Sequence, residues 1–230
     1  PLGVDYQKQI DDGIEHADNF LFIISPHSIN SPYCKLELEL ALKYRKRIIP
    51  LLQVEKISYQ TWQERNPDQP EAAWIDYQAK GLHDSFQNMH SAIQKINWVY
   101  MRAQDDFEAE FIRLLQIFDL QKDYVHQHTV LLTKALTWER QQKQPLYLLI
   151  GEDRLAAETW LKQRFKGIQP PCNPTTLHCE FITESRKNAN NLMTEVFLAY
   201  AEEDRTTAGQ IRNSLLREGF TVWMNTTDIQ

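Results

Sequence analysis

Cysteine is scarce in this chain. Three residues in 230 cannot make a disulfide framework, which argues against a small cross-linked secreted scaffold and suits a reducing, cytoplasmic setting. The seven glycines are scattered. No G-x-G-x-x-G occurs, which argues against a dinucleotide redox enzyme, and Gly151 has no Gly-Lys-Ser/Thr companion, which argues against a Walker-type nucleotidase. The longest apolar runs, around Phe20–Ile24 and Leu146–Ile150, are far too short to span a bilayer. Positive charge is not in excess either. Lys and Arg number 25 against 31 Asp and Glu, a net charge of -6, so neither nucleic acid nor an anionic membrane is expected as partner.

What is present is an alternation of strand and helix signals. Tyr6, Ile10 and Ile14 recur at helical spacing within residues 4–16, and the unbroken run Phe20–Ile24 suits a parallel strand covered on both faces. Ser31-Pro32 is a helix start, a hydroxyl cap followed by proline in the first turn. Leu36–Leu42 alternates apolar and polar residues like a strand, yet Leu, Glu, Ala and Lys without β-branched neighbours favour a helix. Arg47–Leu52 is a second buried strand. Residues 55–94 form a long polar, Trp-bearing connection with turn signals at Asn66-Pro67-Asp68 and Gln69-Pro70, and a helix is expected within Lys80–Ile96. A short strand at Asn97–Arg102 and a helix at Asp106–Leu120 follow, with Phe107, Phe111, Leu114, Leu115 and Phe118 on its buried side. This is a doubly wound α/β pattern.

From Gln121 the texture becomes helical. Helices are expected at Tyr124–Gln142, Glu152–Phe165 and Thr176–Lys187, with a stiff Pro-rich linker at 170–174 and a polar break at Asn188–Asn191. A strand at Val196–Ala201, a helix over roughly Asp204–Glu218 with Ala208, Ile211 and Leu215 on one face, a Gly219 cap and a strand at Thr221–Met224 close the chain. Pro1-Leu-Gly-Val-Asp5 reads as the continuation of a loop like the one that stops at Gln230.

Several segments carry a family resemblance. Phe197-Leu-Ala-Tyr200 with Asp204-Arg205, Thr221-Val-Trp-Met-Asn-Thr-Thr-Asp228, Phe20-Leu-Phe-Ile-Ile-Ser-Pro26, Asn30-Ser-Pro-Tyr-Cys-Lys-Leu-Glu37-Leu and Lys46-Arg-Ile-Ile-Pro50 resemble the bacterial, cyanobacterial-type Toll/interleukin-1 receptor (TIR) domain. The resemblance implies a flavodoxin-like fold, a five-stranded parallel sheet wrapped by helices. It divides the chain into residues 1–120, a TIR domain lacking its first strand, helix and second strand; 121–192, a helical segment; and 193–230, the start of a TIR domain. Multi-TIR proteins are built of such repeats.

Many bacterial TIR domains cleave NAD at the nicotinamide–ribose bond, so the resemblance implies NAD as substrate, not cofactor, and other TIR domains as partners. A single carboxylate can serve that chemistry. It stabilises an oxocarbenium-like state and grips the ribose hydroxyls, while nicotinamide leaves without acid help. By the family's pattern of an aromatic residue one helical turn before a glutamate, Glu37 is the catalytic carboxylate and Tyr33 its companion, a tyrosine where tryptophan is common. Glu39 faces elsewhere. Ser25, Phe197, Tyr200 and Arg205 match positions that border the substrate, although Ser25 could equally cap the chain and Phe197 and Trp223 could be core. Asp228, Ile229, Gln230, Pro1, Leu2 and Gly3 match the self-association (BB) loop. The alternative reading is a non-catalytic TIR scaffold signalling by homotypic association; a nucleotide sensor is a weaker third. His126, His128, Cys172, His178 and Cys179 fit no standard zinc spacing, so no metal is expected. No activating histidine context surrounds Cys34 or Cys179, which argues against a cysteine protease.

Overall fold

A computed structural model of the chain describes residues 6–190 and 194–224. The chain divides into two compact units, Pro1–Lys122 and Asp123–Gln230.

The first unit is built on a parallel sheet in the order β1-β2-β3, with β1 Asn19–Ile24, β2 Arg47–Leu52 and β3 Val99–Tyr100. Leu21 stands opposite Ile49 and Ile23 opposite Leu51. Helices α1 (Tyr6–His16), α2 (Pro26–Ile29) and α3 (Pro32–Lys43) surround β1 in sequence. The Ser31 hydroxyl accepts the Cys34 backbone N–H at 3.3 Å and Pro32 occupies the first turn, a cap of the kind that stabilises a helix by about 1 kcal/mol. Helix formers therefore prevail over the alternating pattern at Leu36–Leu42, as expected.

The two faces of this sheet are covered differently. Phe22, Ile24 and Leu52 pack with Leu38 of α3 and with Met89 and Ile93. Ile49, Leu51 and Val99 pack on the other side against Leu114, Ile117 and Phe118 of α7 (Phe107–Asp119). Arg47, buried at the start of β2, ties α7 down by donating to the carbonyls of Ile117, Phe118 and Leu120. The α7 cover stops short of β1, where Leu21 is 40% and Ile23 49% exposed.

Two expectations are corrected here. Residues 55–94 are not mainly irregular: α4 (Tyr59–Arg65) and α5 (Glu71–Ala79) fold around Trp62, Trp74 and Ile57. The helix expected within Lys80–Ile96 is the short α6, Ser91–Gln94. Of the residues expected on the buried side of α7, Phe107 is 60% exposed, and Phe111 and Leu115 are exposed too. The reason is length, because the two-residue β3 offers the helix too little sheet to lie on.

In the second unit, α8 (Lys122–Arg140), α9 (Gly151–Lys162) and α10 (Thr176–Asn190) share one core with β4 (Val196–Leu198), α11 (Arg205–Arg217) and β5 (Val222–Met224). Trp138, Phe181, Leu216 and Val222 meet in it. α10 continues to Asn190 through the expected polar break. β4 pairs with β5 in parallel, Phe197 opposite Trp223. On α11, Ala208 is buried as expected but Ile211 is exposed, and Leu216 with Arg212 takes its place inside. Gly219, at φ +89, is the left-handed cap that only glycine adopts without strain.

The expected five-stranded sheet is therefore corrected to two parallel sheets, one of three strands and one of two. Each of β1 and β4 has a single strand neighbour among the described residues.

Candidate functional site

Parallel α/β sheets present their ligand sites at the carboxyl ends of the strands, because that is where the loops into helices converge. Ser25 lies at that end of β1. Its hydroxyl accepts the Ser28 backbone N–H at 3.2 Å, while the Ser28 hydroxyl accepts the Ser25 N–H at 3.0 Å and donates to the Ile23 carbonyl at 2.6 Å. This reciprocal cap fixes the exit from β1 and turns the chain into α2 and α3. α3 then begins at the same end of the sheet, so its first two turns, which carry Tyr33 and Glu37, lie near the strand tips.

α3 is held by Leu38 and Ala41, both fully buried. Tyr33 projects outward, 68% exposed. Glu37, one turn later, is half-buried, and its carboxylate makes no hydrogen bond or ion pair with any of the described residues. Glu39 differs on both counts, being exposed and 3.9 Å from Lys35 in an exposed i,i+4 pair. A half-buried carboxylate without a protein partner leaves its lone pairs open to water or to a ligand. A cavity of about 160 Å³ adjoins α3, lined by Phe22, Ser28, Ile29, Lys35, Leu38, Asn88 and His90. Glu37 is not among its walls.

A polar cluster that sequence reasoning missed stands at the carboxyl ends of β2 and β3. Arg102 donates to Glu55 at 2.6 Å and to Asp105 at 2.9 Å, and lies 5.0 Å from the ring of Tyr100. Asp105 is held below its ordinary pKa, chiefly by the Arg102 side-chain hydrogen bond. Arg102 stands two residues beyond β3, at the end of the strand expected at Asn97–Arg102, and that position was the available signal.

The remaining predicted residues belong to the second unit. Phe197 is not core. It is 69% exposed and stacks on Trp223, which is half-buried, with ring centroids 4.6 Å apart. Tyr200 follows the end of β4 and is half-buried. Arg205 opens α11, exposed and paired with Glu202 at 2.8 Å. The structure thus gathers Ser25, Tyr33 and Glu37 in one unit and Phe197, Tyr200 and Arg205 in the other. Asp228, Ile229, Gln230, Pro1, Leu2 and Gly3 lie outside the described residues.

Of the residues in the zinc reading, His128, His178, Cys172 and Cys179 are buried core groups, while His126 is exposed. The His178 Nδ1 accepts the Thr175 N–H at 3.0 Å, so Nε2 carries the proton it shares with the His128 carbonyl at 2.9 Å. Both ring nitrogens are engaged within the protein. Among the described residues no group of three or more His, Cys, Asp or Glu could hold a metal ion. Nor is any described helix long and apolar enough to cross a membrane.

Residues 1–115 match the TIR domain family. The chain belongs to that family. No curated protein and no solved structure matches it. The match covers the unit that holds Ser25, Tyr33 and Glu37, and its strand–helix alternation is the flavodoxin-like arrangement of a TIR domain. TIR domains associate with other TIR domains, and some cleave NAD while others signal as adaptors.

Proposed function

We propose that this TIR protein hydrolyses NAD at the nicotinamide–ribose bond, with Glu37 as the catalytic carboxylate, in the cytoplasm and under the control of TIR self-association. The observation that carries this reading is the state of Glu37: half-buried and unpartnered among the described residues, while Glu39 on the same helix is exposed and beside Lys35. The C–N bond breaks with its electron pair going to the pyridinium, which leaves as neutral nicotinamide. Positive charge develops on the ribose, where Glu37 stabilises it and accepts hydrogen bonds from the ribose hydroxyls. Water adds to the anomeric carbon and releases a proton, giving ADP-ribose. Tyr33 offers an exposed ring to the substrate, and Ser25, Phe197, Tyr200 and Arg205 are the remaining substrate-binding candidates. NAD is consumed, and no cofactor or metal is required.

Incubation with NAD and chromatographic detection of nicotinamide tests this. Glu37→Ala should lower release by about 10²-fold or more, while Glu39→Ala leaves it unchanged. Equal loss from the two substitutions would remove Glu37 from the mechanism. The scaffold reading is favoured by a different observation, the exposed apolar residues Leu21 and Ile23 on β1. It predicts association without turnover at any protein concentration.

A further inference from the structure

We propose that the second unit binds a small organic oxyanion, a phosphate monoester or a carboxylate, whose charged group is gripped by Arg212.

The site is a cavity of about 470 Å³ walled by residues of α8, α10, α11 and β5. Small-molecule pockets run from roughly 300 to 1,000 Å³, so the space suits a ligand of that class. All of its walls belong to the second unit. The inference therefore stands apart from Glu37 and from the NAD reading.

The first observation is a buried guanidinium with almost nothing to hold. Arg212 of α11 is 9% exposed. Its side chain makes no hydrogen bond to any described residue and meets only the Glu180 carboxylate, at 3.5 Å. Its Nε–H is shut off from solvent without an acceptor. Arg47 of the first unit, which is also buried, shows the structural use of such a group: it donates to the carbonyls of Ile117, Phe118 and Leu120 and to Asn19. A guanidinium presents its N–H groups as a planar fork that matches one edge of a carboxylate or phosphate. Desolvating that fork is costly unless acceptors arrive, so an unfilled one in a cavity wall points to a ligand that brings them.

The second observation comes from another element of the same wall. Trp138 of α8 is almost fully buried, and its indole N–H also lacks an acceptor among the described residues. The buried Trp160, by contrast, donates to the Tyr124 carbonyl at 3.0 Å. Both unmet groups are donors, so the missing partner is an acceptor.

Charge gives its sign. Lys143 donates to Glu180 at 2.7 Å, and Lys187 lies 3.6 Å from Glu184. Those pairs cancel, and the charge of Arg212 is left in excess among the walls. An anion balances it; a cation or a neutral molecule does not. Leu216, Val222 and Trp223 give the cavity apolar surface as well, which suits a carbon body behind the charged head better than a bare ion.

Isothermal titration calorimetry of the whole chain tests this with two anions, adenosine 5′-monophosphate and benzoate, and their uncharged counterparts, adenosine and benzamide. At least one anion should bind saturably, and which of them does so tells a phosphate ester from a carboxylate. The uncharged counterparts should not bind. Amide exchange of the wild type should slow in α11 around Arg212 when the bound anion is present. Arg212→Met keeps most of the volume, removes the fork and should raise Kd by about ten-fold or more. If that variant does not fold, Arg212→Lys takes its place: it keeps the charge beside Glu180, lacks the fork and should also bind more weakly. Saturable binding by neither anion overturns the proposal. So does equal affinity for charged and uncharged members, exchange protection confined to the first unit, or undiminished affinity in a folded Arg212 variant.

Discussion

Glu195 and Thr221 fasten the starts of β4 and β5 to each other from both sides. The Thr221 backbone N–H donates to the Glu195 carboxylate at 2.8 Å, and the Glu195 N–H donates to the Thr221 hydroxyl at 2.9 Å. Arg186 of α10 adds its guanidinium to the same carboxylate at 2.6 Å. The carboxyl is held below its ordinary pKa, first by the Thr221 N–H, with burial opposing and Arg186 assisting. A carboxyl with a lowered folded-state pKa contributes stability above its unfolded value and loses it as pH falls through the folded one. Glu195→Gln should therefore cost about 1 kcal/mol near neutrality, a modest figure because the side chain is a third exposed. The gap between wild type and variant should close in acid below about pH 4. Thermal melts of both proteins across that range check it, and a gap of constant size would contradict the linkage.

Arg47 joins β2 to the far end of α7, and its loss should be severe. Its guanidinium meets three carbonyls at the helix C-terminus, those of Ile117, Phe118 and Leu120, and donates to Asn19. Arg47→Met keeps most of the volume and takes the guanidinium donors away from those carbonyls, at a cost of about 3 kcal/mol. Arg47→Lys should recover little, since a single ammonium cannot reproduce the fork. Urea unfolding followed by circular dichroism separates the two variants from wild type; near-equal midpoints for all three would show the cap to be dispensable.

These cases also show what could be read beforehand. α3 was legible because Ser31, Pro32 and a run of helix formers agree with one another, against a strand-like alternation at Leu36–Leu42. α4 and α5 were not, because their packing is aromatic and local: Trp62, Trp74 and Tyr77 cluster with ring centroids 5.6–6.1 Å apart, and no aliphatic stripe announces them. The α7 face was misread for want of sheet length, since nothing in Asn97–Arg102 says that only Val99 and Tyr100 will pair. The role of Ser25 depended on Ser28, a residue that no pattern had singled out. Pairing between strands is the least legible level, because edges that look alike in sequence differ only in what comes to lie beside them.

The paired histidines of the second unit should behave as core and not as ligands. His178 and His128 are fully buried with ring centroids 4.6 Å apart, beside the indole of Trp160. His178→Leu leaves the Thr175 N–H and the His128 carbonyl without their partner, and unfolding should be easier by roughly 2–3 kcal/mol. Zinc added to the wild type should not move the melting temperature, because both His178 nitrogens already have partners within the fold. A rise in melting temperature that saturates with zinc would reverse this assignment.

Tyr33 offers the cleanest separation of binding from folding. Its ring is 68% exposed on the first turn of α3, so removing it disturbs little packing. Tyr33→Ala should shift stability by no more than about 0.5 kcal/mol. If the ring stacks on NAD one turn before Glu37, the same change should lower kcat/KM for nicotinamide release by roughly ten-fold, the worth of one aromatic stacking contact. Tyr33→Trp should match or exceed wild type, since indole presents a larger face. Steady-state kinetics alongside melts of the three proteins decide the matter. Unaltered kinetics in Tyr33→Ala would leave Glu37 without its aromatic companion and move the substrate's base elsewhere, whereas a loss of activity that tracks a loss of stability would mean that Tyr33 serves the fold.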